Sequence, residues 1–169
     1  QLFTLRNQNR LQKDIIINEK FLPLRESDAR YYIVTGGRGS SKSFSTTLIE
    51  ATNTLQQGYN CLYTRYTMTS AELSIIPEFK EKIEILNLDN VFDINRKEIT
   101  NTITDSRIIF RGIKTSAGNQ TANLKSLQGI STWVLDEAEE MVDENEFDTI
   151  DLSIRSNTQQ NRIILILNP

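Results

Sequence analysis

Residues 31–43 read YYIVTGGRGSSKS: the run Tyr31-Tyr32-Ile33-Val34-Thr35, then Gly36-Gly37-Arg38-Gly39-Ser40-Ser41-Lys42-Ser43. A short apolar run rich in β-branched and aromatic residues predicts a strand. The glycines and serines that follow predict a tight loop, and Lys42 to Gln57, ended by Gly58, predicts a helix. A strand passing through a Gly-rich turn into a helix is the setting of a phosphate-binding loop. The residue types suit that chemistry. Small residues let the chain wrap closely, so that backbone N–H groups converge on phosphate oxygens while the helix N-terminus adds partial positive charge. Lys42 brings a full charge toward β- and γ-phosphates, and Ser43 brings a hydroxyl for Mg²⁺. One position departs from the usual pattern G-x-x-x-x-G-K-S/T: Ser41 stands where glycine precedes the lysine. A serine there predicts ordinary backbone angles, because glycine's freedom at positive φ is lost.

Outward from the loop, further strands are predicted at Asn60 to Arg65, Thr132 to Asp136 and Arg162 to Leu167, and helices at Ser70 to Leu86 and Glu144 to Ser156. Strands alternating with helices imply right-handed crossovers and a mainly parallel sheet. Strand runs that are apolar throughout predict cover on both faces. Within Val91 to Ile113, Glu98 to Thr104 and Arg107 to Ile113 flank Asp105-Ser106, which predicts an antiparallel hairpin at the sheet edge. The expected fold is therefore α/β: a P-loop NTPase with a helix-flanked, mainly parallel sheet and an antiparallel edge hairpin. Arg6 to Glu19 is amphipathic and reads as a helix lying against the domain, and the small polar stretch Thr115 to Asn123 reads as a mobile loop.

A length of 169 residues suits one domain, residues 1–169. Nineteen Lys+Arg against 22 Asp+Glu give a net charge of −3, so no global basic field draws the chain to nucleic acid, and any such contact is a local patch. By charge alone, Lys80, Lys82, Arg96 and Lys97 are the candidates. The chain has no histidine, which excludes imidazole acid–base chemistry and imidazole metal ligands from within it. The single Cys61 excludes an internal disulfide and suits a reducing compartment. The longest apolar run, Ile163 to Leu167, falls far short of the roughly 20 residues that a bilayer span needs. A soluble intracellular protein without membrane partners is expected.

The second chemical signal is Trp133-Val134-Leu135-Asp136-Glu137, an apolar strand ending in two carboxylates, 94 residues beyond Lys42. In a parallel α/β sheet the carboxyl ends of strands share one crevice with the phosphate loop. Hydrolysis needs a metal clamp for charge on the β- and γ-oxygens and a base beside the nucleophile. Asp136 is expected to hold Mg²⁺, through water, and Glu137 to orient or deprotonate the attacking water. Glu139, Glu140, Asp143, Glu144 and Glu146 read as a solvated acidic face.

With these residues in view, the sequence resembles the ATPase domain of the large terminase subunit, the DNA-packaging motor of tailed bacteriophages. The resemblance covers nearly the whole chain. It rests on the arginine within Gly36-Gly37-Arg38-Gly39, Phe21 and Pro23 upstream, a strand ending at Arg65, the Lys-Ser-Leu-x-Gly-Ile segment Lys125 to Ile130, the acids followed by Ala-Glu (Asp136 to Glu139), and the closing Asn168-Pro169. It implies that Arg38 senses or stabilises the γ-phosphate, a task suited to a forked guanidinium. It implies that Asn168 reports the γ-phosphate to the rest of the motor and that Phe21 and Pro23 border the adenine. Lys125 and Arg155 are the candidates for a charge donated to a neighbouring subunit's site. The implied cofactors are ATP and Mg²⁺. The implied partners are double-stranded DNA, a portal protein and a small terminase subunit, in a ring homo-oligomer that is monomeric when isolated, in the cytoplasm of the infected bacterial host. Because the chain ends straight after a strand and shows no carboxylate cluster of a nuclease, a domain of a longer protein without nuclease activity is expected. The rival expectations are a helicase- or recombinase-like ATPase, a small-molecule or nucleoside kinase, and a nucleotide-binding module with little turnover.

Overall fold

A computed structural model describes residues 3–5, 15–115, 118–119 and 128–168. Its centre is an eight-stranded sheet. Five of the strands run parallel: β3 (Tyr31–Thr35), β10 (Arg162–Leu167), β9 (Thr132–Asp136), β4 (Asn60–Thr67) and β7 (Arg107–Thr115), in that spatial order. Beyond β7 the sheet continues antiparallel through β6 (Glu98–Asn101) and β5 (Phe92–Ile94), and the short β8 (Gly118–Asn119) folds back onto β7. The predicted hairpin is present, with Ile99 opposite Ile108, and its second strand also joins the parallel part of the sheet through β4.

Helices cover both faces. On one side, α2 (Lys42–Asn53) and α4 (Ile76–Ile85) bury Leu48, Ile49, Phe79 and Ile83 against Tyr63 and Phe110. The rings of Tyr63 and Phe79 meet edge-on, 5.4 Å apart, a favoured arrangement because the positive ring edge faces the negative ring face. On the other side α5 (Glu144–Asp151) packs Phe147 and Ile150 over Trp133. The Trp133 indole N–H donates to Thr64 Oγ1 at 2.8 Å, satisfying a polar atom that is wholly buried. Among the described residues, no helix is long and apolar enough to cross a membrane.

The structure revises four expectations. Strand β3 is an edge strand with one open face, so its residues alternate and Tyr31 and Ile33 stand exposed; only β9 is buried along its whole length. The segment expected as an N-terminal helix contains instead β2 (Ile15–Ile17), paired antiparallel with β1 (Phe3–Leu5), and residues 6–14 lie outside the described part. Three isoleucines in a row favour a strand because β-branched side chains lose rotamer freedom in a helix. The expected loop at Thr115 to Asn123 begins inside β7 and contains β8, with residues 116–117 and 120–127 outside the described part. The long helix expected from Ser70 is divided into α3 (Met68–Ser70), a π-helical turn (Ala71–Ile75) and α4. Pro77 explains the wide turn, because it offers no N–H to the carbonyl four residues back and its ring crowds that carbonyl.

A close approach positions the start of this helical segment. A Cβ at Gly112 of β7 would lie 2.4 Å from the backbone nitrogen of Met68, so glycine lets the end of β4 turn directly over β7 into α3. That turn carries the chain from Arg65 to Ser74, both of which reappear below.

Candidate active site

Strand register sets the site. Thr35 pairs with Leu167, Ile166 with Asp136, and Thr64 with Leu135, so Gly36, Asn168, the acids and Arg65 all emerge at one edge of the sheet. Strand β10, last in the sequence, lies between β3 and β9 and separates the loop from the acids by one strand width. Between them is a crevice of about 450 Å³, lined by residues 37–43 of the loop and by Asp136 and Glu137 on the opposite wall. The two motifs separated by 94 residues in sequence share one cavity.

Loop geometry departs from expectation at one residue. Ser41 sits at φ 64°, ψ 19°, in the left-handed region, where ordinary angles were expected. The backbone path of a phosphate loop requires that turn before the helix, and the fold holds serine in it against a steric cost of about 1 kcal/mol. Gly39, at φ 76°, takes the same region without strain. Lys42 is 6% exposed and turns back into its own loop. Its ammonium donates to the carbonyl of Gly36 and, at 3.2 Å, to that of Gly37, and lies 3.4 Å from Ser40 Oγ. These carbonyl and hydroxyl contacts hold the buried ammonium within its own loop.

The acidic wall is held from elsewhere. Arg65, at the end of β4, spreads its guanidinium over three acceptors: Nε to Asp136 Oδ2 at 2.9 Å, one terminal nitrogen to Glu137 Oε1 at 2.6 Å, and the other to Ser74 Oγ at 2.8 Å. Burial raises the Asp136 carboxyl above its ordinary value, and the charge and hydrogen bond of Arg65 oppose that rise. Glu137 occupies a second left-handed position, φ 55°, directly after the strand. Strained angles in both motifs place the local cost where the chemistry would be. Arg65 carried no assigned role in the sequence, although an arginine closing an otherwise apolar strand was a usable signal.

Asn168 ties the last strand to the acidic segment. Its side-chain amide donates to Glu139 Oε1 at 3.1 Å, and its backbone N–H donates to Oε2 at 3.3 Å. Burial pushes the Glu139 carboxyl up, but backbone and Asn168 hydrogen bonds and the charge of Lys42 bring it below its ordinary value. Glu139 is nonetheless exposed, as expected of the acidic face, and is tied to Asn168 from outside the crevice lining. Glu146, by contrast, is buried, and Asp143 caps α5 by accepting from the Asn145 N–H.

Other expected residues stand apart. Phe21 is 4% exposed within the core, and with Pro23 it lines a separate cavity of about 410 Å³ against β3 that shares no lining residue with the crevice. Arg155 is exposed on the segment between α5 and β10, which lies at the opposite edge of the sheet. Lys125 falls outside the described residues. Lys82, a DNA candidate by charge, is 2% exposed, with its ammonium over the Phe44 ring and beside Glu81 and Glu78.

The profile of phage terminase large subunits matches residues 28–169. The chain belongs to the phage terminase large subunit family. Among solved structures, the terminase chain resembles the large terminase ATPase domain of Thermus phage P74-26 (TM-score 0.65, 17% identity, covering 88% of this chain and 64% of that one). It also resembles the N-terminal domain of the DNA packaging ATPase from bacteriophage phi29 (TM-score 0.64, 16% identity, 88% of this chain and 76% of that one). A third is a large terminase from a thermophilic bacteriophage in complex with ADP (TM-score 0.59, 14% identity, 89% and 38%). At these identities the likeness is one of fold, and the terminase chain spans between 38% and 76% of the length of these relatives. No curated protein matches it by sequence.

Proposed function

We propose that this terminase chain is a Mg²⁺-dependent ATPase domain, spanning residues 1–169, whose hydrolysis drives double-stranded DNA into a procapsid. The observation that carries the reading is the shared crevice, with phosphate-loop donors on one wall and Asp136 and Glu137 on the other. Residues 36–43 would wrap the phosphates, Lys42 would leave its loop carbonyls for β- and γ-oxygens, and Arg38 would meet the γ-phosphate. Ser43 and Asp136 are hard oxygen donors lining one cavity, a set that fits magnesium. Magnesium, when bound, would offset negative charge on the β- and γ-oxygens. Glu137, freed from Arg65, would hold or accept a proton from the attacking water. Asn168, which lines the crevice and is tied to Glu139, would respond to a phosphate group there. Phe21 and Pro23 line a separate cavity against β3, so an adenine role for them would require the base to reach it.

A domain whose lysine and acids are satisfied by the protein itself should turn over slowly when isolated and monomeric. Assembly into a ring on a portal protein, with a small terminase subunit, would supply a charge in trans. Lys125 and Arg155 remain the candidates, the latter only toward a neighbour, since it lies across the sheet from its own crevice. Such a motor would act in the cytoplasm of the infected host. Steady-state ATP hydrolysis by the chain with DNA, compared with Lys42→Ala and Glu137→Gln, tests the reading. Each variant is expected to lower turnover by at least about 10²-fold. Turnover unchanged in both would end the assignment, and transfer of phosphate to a nucleoside would redirect it to a kinase.

A further inference from the structure

The crevice contains a third carboxylate that the scheme above leaves unused. Glu78 lies in the first turn of α4 and lines the same cavity as Ser43, Asp136 and Glu137. Its side chain is 27% exposed, and it lies one helical turn beyond Ser74, the residue that anchors Arg65. Behind it stands Lys82, whose ammonium is 3.9 Å from Glu78 Oε1 and 3.1 Å from Glu81 Oε2. That ammonium also lies 4.3 Å from the centre of the Phe44 ring, and Phe44 directly follows Ser43. A buried lysine fixed to the loop helix therefore holds Glu78 on the Ser43 side of the crevice. Glu78 thus shares one cavity with Ser43 and Asp136, the two residues assigned to the metal.

A carboxylate here has no role toward the phosphates, since like charges repel. What it can attract is a divalent cation or the polarised water around one. Among the described residues no group of three acidic side chains is close enough to ligate an ion together, which favours a role for Glu78 through water over direct coordination. Magnesium, however, keeps several of its waters, and each is a strong hydrogen-bond donor.

Resting on the ATPase reading, we infer that Glu78 is a positioning residue for the divalent cation: its carboxylate, braced by Lys82, accepts hydrogen bonds from metal-bound water on the Ser43 side of the crevice. Outer partners of this kind commonly change metal affinity by about 10- to 100-fold.

The test uses the full chain with ADP and Mn²⁺, a paramagnetic substitute for Mg²⁺, titrated by electron paramagnetic resonance. A fluorescent ADP analogue in EDTA gives nucleotide affinity without metal. Glu78→Gln, which keeps the shape, should weaken Mn²⁺ binding to the nucleotide complex by about 10-fold, while metal-free nucleotide affinity stays level or rises. Glu78→Asp should recover part of the loss. Asp136→Asn marks the effect of a lost metal holder. Equal weakening of metal and metal-free nucleotide binding in Glu78→Gln would mean a merely structural role and overturn the inference. So would unchanged Mn²⁺ affinity in Glu78→Gln alongside a loss in Asp136→Asn, and in that case the ATPase reading would survive. Failure of the unaltered chain to bind ADP at all would overturn both.

Discussion

The two walls of the crevice are built in opposite ways. The phosphate loop is a continuous segment: eight consecutive residues, with Lys42 bonded to carbonyls five and six positions before it. The acidic wall is assembled from a distance. Asp136 at the end of β9 and Glu137 just beyond it are held by Arg65 on β4, 71 and 72 residues earlier, and Arg65 is held in turn by Ser74 in the π-helical turn. A local motif can be read as a string of letters because its partners lie within it. A wall fixed by remote groups has no such signature. The same contrast predicts different responses to mutation.

The largest effect is expected on the remote side. Arg65→Ala leaves Asp136, 3% exposed, beside Glu137 without a cation, and breaking a buried ion pair from one side costs roughly 4 kcal/mol. Denaturant unfolding at pH 8 should show that loss. It should shrink in acid, where Asp136, whose carboxyl burial already raises, takes up a proton and no longer needs the cation. An equal loss in acid would mean that Arg65 acts by packing, and the contrast between the walls would weaken.

A second experiment asks how the loop's helix is anchored. Glu50 lies wholly buried on α2, accepts a hydrogen bond from the Tyr59 hydroxyl, and has its other oxygen without a partner. Burial pushes its pKa up to about 7 from 4.5. The folded chain therefore keeps a proton that the unfolded chain releases. The resulting stability is full below pH 4.5, falls as pH rises through 7, and amounts to roughly 3 kcal/mol. Unfolding measured from pH 4.5 to 8 should show this slope, and Glu50→Gln should flatten it. A slope retained in Glu50→Gln would place the titrating group elsewhere.

The smallest effect belongs to the loop itself. Ser41→Gly relieves the left-handed strain but adds freedom to the unfolded chain, for a net gain of roughly 0.5 kcal/mol, readable as a small rise in melting temperature. A fall instead would show that the serine side chain holds the loop together.

Strand and helix identities around the site were legible because the sheet interior is apolar and its strands are short. Strands β3, β9 and β10 fall on the predicted residues. Where local pattern competed with packing, it misled. Lys82 reads as a surface charge but is buried over Phe44 of another helix. A linear pattern carries no record of such a partner.

By itself the sequence determined the Gly-rich turn from strand to helix, the acids at the end of an apolar strand and the α/β class, because each depends on contacts a few residues apart or on the periodicity of burial. Tertiary structure alone decided that β10 lies between loop and acids, that Arg65 spans Asp136, Glu137 and Ser74, and that Glu78 enters the same crevice. Strand order and side-chain pairing across tens of residues are settled by which surfaces bury one another, a property of the folded whole that no segment holds on its own.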